Sequence, residues 1–201
     1  MGSLIKQINS LKKSEVKFKV DQRLNEFEKN EPFSELCFCI LTANSTAERC
    51  IAVQSKVGKG FHTLSPSKLQ KKLKENGCRF HNKRSSYIIE ARKKKQELTN
   101  SLKELNEKDL REWLAKNIKG LGYKESSHFL RNIGYKDSAI IDFHILDILE
   151  KNNLIKKPKT LNKNNYLAIE LKLKVLAKKL KLNLAELDLY LWYLETGKIL
   201  K

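Results

Sequence analysis

Residues 118–124 read Ile118-Lys119-Gly120-Leu121-Gly122-Tyr123-Lys124, two glycines one residue apart between two stretches of helical periodicity. Upstream, Leu110, Trp113 and Leu114 recur at helix spacing. Downstream, a helix is predicted from about Lys124 to Ile133, closed by Gly134. Glycine admits positive φ and close backbone approach, so the pair makes a tight hairpin between helices, spanning about residues 113–134. Amides exposed in such a turn, beside a helix N-terminus, form a phosphate site. A purely structural helix–helix turn uses the same residues, so Gly120 and Gly122 alone leave both readings open.

Lys124 sharpens the case. It falls in the first turn of the following helix, where the helix dipole disfavours a cation, so a merely structural lysine is a poor choice there. A nucleophilic lysine is a sensible one, since an amine attacks carbon through its lone pair. Asp142 follows eighteen residues later, after one helix and the apolar bend Ile140-Ile141, at the N-cap of a further helix. That span lets the chain fold back towards the amine. A carboxylate held by backbone N–H groups can steady positive charge developing at a sugar C1′. The plain alternative is a solvated lysine and an ordinary cap.

The rest of the chain is helical in pattern. Ile5, Ile8 and Leu11 open an amphipathic stretch that Val16, Val20, Leu24 and Phe27 continue, and Leu36, Ile40, Ala43 and Ala47 lie on one face of the next. Ser65-Pro66 marks a helix start and Gly77 its stop. Tyr87, Ile88, Ala91 and Leu98 suit another helix. Two more end the chain, the last carrying Leu184, Leu187, Leu191 and Leu194. No alternating pattern of useful length predicts a strand, so the expected class is all-α, as a single unit of 201 residues.

Forty-one Lys and Arg against 23 Asp and Glu give a net charge of +18. Self-repulsion of that size favours a polyanionic partner, with nucleic acid the first candidate; a solvated lysine surface is the alternative. No run of about 18 apolar residues predicts a membrane span, and the N-terminus lacks the uninterrupted apolar core of a signal peptide. A cytoplasmic protein is expected. Cys37, Cys39, Cys50 and Cys78 match no zinc or iron–sulfur spacing and read as structural.

The run GLGYKESSHFLRNIGYKDSAIIDFHIL, with LCFCILTANSTAE before it and LDLYLWYLETGKILK at the end, resembles the archaeal-type (type 2) 8-oxoguanine DNA glycosylase/AP lyases of the helix-hairpin-helix superfamily. The three blocks cover nearly the whole chain in family order. The resemblance implies a two-lobed all-α fold with the active site in the cleft between lobes. One lobe is expected at about 33–130, the other at about 1–32 plus 131–201. It implies a bifunctional enzyme acting on double-stranded DNA that contains 8-oxoguanine opposite cytosine, with the damaged base flipped out of the stack. Neither metal nor cofactor is implied. The superfamily's common C-terminal iron–sulfur cluster is excluded, since no cysteine lies after Cys78. A monomer is expected.

Residue by residue, Lys124 matches the nucleophile that displaces the base and forms a Schiff base, after which β-elimination cuts the strand 3′ to the lesion. Asp142 matches the catalytic carboxylate. Phe80 and Trp192 match residues packing on the two faces of the flipped base, although each also suits an apolar core. Lys201 matches the family's terminal lysine, whose carboxylate is a natural acceptor for the N7–H that oxidation at C8 creates; a frayed tail is the alternative. Asn44 matches the residue that fills the gap left by the base, and His144 one that contacts phosphate; a helix-end asparagine and a first-turn histidine are the alternatives. Arg79, Lys83 and Arg84 surround Phe80 and are candidates to track the backbone, with simple surface charge the alternative.

Two positions depart from the pattern. The family's Asp-Arg-His reads Asp142-Phe143-His144 here, and phenylalanine cannot replace the charge or hydrogen bonds of arginine. Lys119 stands where many superfamily members have proline. Excision of another oxidised base and a non-catalytic helix-hairpin-helix binding protein are the alternatives; the second gives Lys124 and Asp142 no joint purpose.

Overall fold

Polar residues at helix starts set most of the boundaries in the computed structural model, which describes residues 2–201. The amphipathic N-terminal stretch is two helices, α1 (Gly2–Leu11) and α2 (Glu15–Phe27). Ser14 divides them. Its hydroxyl accepts from the Val16 amide at 3.2 Å and donates to the Leu11 carbonyl at 2.8 Å, which caps the second helix and ends the first. The break shifts the helical phase, so Leu4 and Ile8 are buried in α1 while Ile5 and Leu11 are only half-buried. Thirteen helices and no strands are found among the described residues. The chain forms two compact units, Asn30–Phe129 and Met1–Lys29 with Leu130–Lys201.

The middle unit is built around α3 (Pro32–Thr42), which is buried on almost every side from Phe33 to Thr42. Such all-round burial hides the one-sided periodicity expected of Leu36, Ile40, Ala43 and Ala47. The helix stops at Thr42, and Ala47 opens α4 (Ala47–Val57), so those four residues do not share one helix. A single turn, α5 (Gly60–Thr63), follows. Arg92 pins it by donating to the carbonyls of Gly60, Phe61 and Leu64 at 3.0, 2.6 and 2.5 Å. Ser65 caps α6 (Pro66–Glu75) and Gly77 leaves it at φ +72°, as the sequence predicts. The segment from Tyr87 to Leu98 is two helices, α7 (His81–Lys93) and α8 (Lys95–Glu104), interrupted at Lys94. Helices α4 and α7 pack on α3, α6 packs on α4 and α7, and α8 leads to α9 (Glu107–Asn117). Beyond the glycine turn runs α10 (Tyr123–Asn132), closed by Gly134 at φ +95°.

The other unit contains α1 and α2 with α11 (Phe143–Lys151), α12 (Lys163–Leu180) and α13 (Leu184–Thr196). Helix α13 packs on α2, α11 and α12, around Val20, Phe27, Leu149, Leu173, Leu187 and Leu191. Asn183 and Glu186 close a full capping box at its start. Arg131 is nearly buried. It pairs with Asp188, donates to Asn132 and lies 5.0 Å over the Phe27 ring, so its charge is matched within the core. The chain from Ala139 to Ile141 lies outside the helices and is buried. Its polar groups are met by α12: Tyr166 Oη donates to Ala139 O at 2.6 Å and accepts from Ile141 N at 3.2 Å, and the buried Glu170 accepts from Ala139 N at 2.9 Å. This clamp fixes the entry to Asp142. Among the described residues no helix is long and apolar enough to cross a membrane.

Candidate active site

The turn between α9 and α10 forms as the two glycines predict. Gly120 sits at φ +89°, and a Cβ there would stand 2.7 Å from the ring of Tyr87 on α7. Two independent facts, backbone sign and close approach, therefore call for glycine. The hairpin amides are partly engaged within the protein. Leu121 N–H donates to Ile118 O at 3.2 Å and Gly122 N–H to Glu125 Oε2 at 3.3 Å. Lys119 does not reach outward alone: its Nζ lies 2.9 Å from Glu90, whose hydrogen bond raises the lysine pKa.

Lys124 lies in the first turn of α10 and is half-buried. Its Nζ is 3.7 Å from Glu125 Oε1, beyond direct hydrogen-bond reach, so the neighbouring carboxylate attracts the amine without clamping it. The opening of the helix is braced on its other side. Tyr123 Oη donates to Glu112 Oε1, and the Arg111 guanidinium lies 5.2 Å over the Tyr123 ring.

In the other unit Asp142 is the N-cap of α11. Its Oδ1 accepts from Ile145 N–H at 3.0 Å, and its backbone carbonyl accepts from Leu146 at 3.0 Å. His144, two residues on, meets the ring of Trp192 edge-on at 5.4 Å and 88°, and its Nδ1 lies 3.6 Å from Glu195. Phe143 is 62% exposed and lies over the His144 ring at 3.9 Å. It does not fold into the core. The structure thus gathers Asp142, His144 and Trp192 into one patch, with Phe143 at its edge. Trp192 is half-buried, and Lys201 is half-buried beyond the left-handed Gly197 that ends α13.

Back in the middle unit, Asn44 and Phe80 are both exposed and both left-handed, at φ 53° and φ 54°. Asparagine tolerates that region; for phenylalanine it is a strained choice. Phe80 is 55% exposed at the N-cap of α7, so the core reading of this residue does not hold. Arg79 and Arg84 flank its ring at 5.5 and 5.8 Å. Arg84 is only 4% exposed, with its guanidinium turned to protein groups, so it is not the backbone-tracking cation the sequence suggests.

Residues 16–182 match the family model described as 8-oxoguanine DNA glycosylase. The chain belongs to the 8-oxoguanine DNA glycosylase family. It is 53% identical to the 8-oxoguanine DNA glycosylase/AP lyase of Methanocaldococcus jannaschii, over 98% of this chain and 99% of that one. It is 48% identical to the 8-oxoguanine DNA glycosylase/AP lyase of Korarchaeum cryptofilum, over 100% and 99%. The crystal structure of the Methanocaldococcus jannaschii 8-oxoguanine glycosylase/lyase in complex with a 15mer DNA containing 8-oxoguanine superposes with a TM-score of 0.95 at 52% identity, covering 99% of this chain and 100% of that one.

Within this member of the family, the sequence leaves three functional supports unseen. Tyr166 and Glu170, on α12, hold the approach to Asp142 and carry no local motif. Arg84 reads as surface charge because its burial depends on distant Ala43 and Cys78. Glu125 could have been found: Gly122 followed three residues later by Glu125 is the spacing at which an N3 carboxylate reaches back to the N-cap amide. No cluster of three or more His, Cys, Asp or Glu able to hold a metal ion is found among the described residues.

Proposed function

We propose that this glycosylase-family chain excises 8-oxoguanine from duplex DNA and then cuts the strand, with Lys124 as nucleophile. The observation that carries this reading is a half-buried lysine in the first turn after the Gly120–Gly122 hairpin, attracted but not clamped by Glu125. Lys124 Nζ, once it has given up a proton to solvent, attacks C1′ of the damaged nucleotide, forming a C–N bond as the bond to the base nitrogen breaks, and the departing base takes up a proton. The sugar ring opens to the Schiff base. Loss of a C2′ proton then expels the 3′ phosphate, which is the lyase step. Asp142 steadies the positive charge that develops on the sugar, and the Ile145 amide, which donates to its carboxylate, orients it.

Phe80 and Trp192 supply stacking surfaces for a base, a mode that tolerates any base, so the lesion must be read by a polar group. A main-chain oxygen of Lys201 is that reader, accepting from the N7–H of 8-oxoguanine. Normal guanine leaves it facing another acceptor. Asn44 fills the gap in the stack opposite cytosine, and His144 meets a phosphate. The protein works as a monomer on chromosomal DNA in the cytoplasm.

Borohydride trapping on a duplex with one 8-oxoguanine opposite cytosine tests this reading. A covalent adduct is expected with the damaged duplex and the wild-type chain, and none with undamaged DNA or Lys124→Ala. Absence of adduct and cleavage from a folded, DNA-bound wild-type protein would overturn the assignment in favour of a binding protein.

A further inference from the structure

The two non-glycine residues of the middle unit with left-handed backbone stand in different turns, Asn44 between α3 and α4 and Phe80 before α7, 36 positions apart in the chain. Arginine side chains from the second turn reach carbonyls of the first. Arg79 Nη1 donates to the carbonyl of Asn44 itself at 3.1 Å. Arg84 Nη2 donates to the carbonyl of the preceding Ala43, while its Nη1 points to Cys78 Sγ at 3.7 Å. The same two guanidiniums flank the Phe80 ring. Arg84 is buried, and a carbonyl and a thiol are the partners of its guanidinium across these turns. Strained φ values persist only where the surroundings over-determine them. These two arginines touch both turns.

We infer that Arg79 and Arg84 form a clasp that fixes the Asn44 and Phe80 turns to each other, so that the two side chains engage DNA as one rigid device. Both arginines are positioning residues. Neither needs to touch the damaged nucleotide. The inference rests on the reading above in which Asn44 and Phe80 contact DNA, and it adds that they are energetically inseparable.

Binding to a duplex containing 8-oxoguanine opposite cytosine tests it, in a Lys124→Ala background that blocks turnover, with an undamaged duplex as control and the full chain throughout. Arg84→Met replaces a buried ion by an apolar side chain of similar length, a change that leaves many proteins folded. Arg79→Lys, at an exposed site, keeps the charge but loses the planar donor. Each is expected to weaken the 8-oxoguanine complex by about tenfold while changing undamaged-duplex binding by less than about twofold, because groups sharing one network couple strongly. The decisive readout is the double-mutant cycle. Asn44→Ala and Phe80→Ala should each cost far less with Arg84→Met than with Arg84 present, and Arg79→Lys should repeat the pattern. Full additivity, with both alanine variants impaired, overturns the clasp and leaves the DNA-contact reading standing. No effect from Asn44→Ala and Phe80→Ala overturns both.

Discussion

The ring of Tyr87 occupies the space into which any side chain at Gly120 would project, with Cδ2 2.7 Å from the position of a Cβ there. Helix α7 therefore backs the hairpin that presents Lys124. The glycine is fixed by a neighbour distant in sequence as well as by its own φ of +89°.

Gly120→Ala should lower stability by about 2 kcal/mol or more, combining left-handed strain with a steric clash against the ring. Gly122→Ala should cost much less, since its nearest obstacle is the flexible Glu125 carboxylate at 3.4 Å. Adding Tyr87→Ala to Gly120→Ala removes the clash but leaves the strained φ. Chemical denaturation of the three variants checks the ordering, and equal losses at 120 and 122 would contradict it.

Asp142 combines capping with charge, and two substitutions separate the roles. Asparagine keeps the cap acceptor for Ile145 N–H, so Asp142→Asn should unfold within about 1 kcal/mol of wild type. It should still lose about 10²-fold or more in single-turnover base excision, the scale of a lost electrostatic contact in a transition state. Asp142→Ala should lose both. Wild-type rates from the asparagine variant would remove the carboxylate from the mechanism.

Tyr166→Phe deletes one hydroxyl that donates to Ala139 and accepts from Ile141. Two buried backbone groups then lack their partner, at a cost of about 1–3 kcal/mol each before relaxation. Excision rate should fall with little change in undamaged-duplex affinity. An unchanged rate would show that Asp142 is oriented by its own helix alone.

The alkaline limb of stability should be steep. Burial, aided by Asp21 and Glu186, pushes the Tyr190 phenol up from 10.0 to about 12, and burial likewise lifts the Cys37 thiol well above 9.0. The folded state prefers both groups protonated. Their stabilising effect is complete below the unfolded-chain values and is lost as pH rises through the folded ones. Melting temperature should therefore decline from about pH 9 for the thiol and between pH 10 and 12 for the phenol. Tyr190→Phe should flatten the upper part of that decline; an unaltered slope would refute the assignment.

Phe143 is exposed at the first position of α11, so replacing it with arginine disturbs no core. Phe143→Arg should shift stability by no more than about 0.5 kcal/mol. It should steepen the salt dependence of DNA binding by about one unit of log–log slope if the new cation meets a phosphate. Titrations at several salt concentrations decide this.

Much of the molecule is legible in the sequence because the signals are local. Ser65-Pro66, Gly77, Gly134 and Asp142 act within one turn of chain, and each ends or starts a helix where it should. Breaks at Ser14 and Lys94 are missed because periodicity continues across them and only a hydroxyl or a local turn interrupts the helix. Helix α3 is misread because a helix buried all round has no face to reveal. The site divides in the same way. Lys124 and Asp142 announce themselves by position relative to a glycine turn and a helix start. The groups that hold them and their neighbours, Tyr166, Glu170 and Arg84, work across 25 to 41 residues of chain and leave no local trace.

The left-handed turns at Asn44 and Phe80 also bear on speed. A loop that must order itself on encounter slows association and weakens the complex by the entropy it loses. Here that ordering is completed during folding, by two guanidiniums and two carbonyls. On the proposed reading, in which these two turns meet DNA, the protein tests each stretch of duplex without first reshaping the part of itself that probes it.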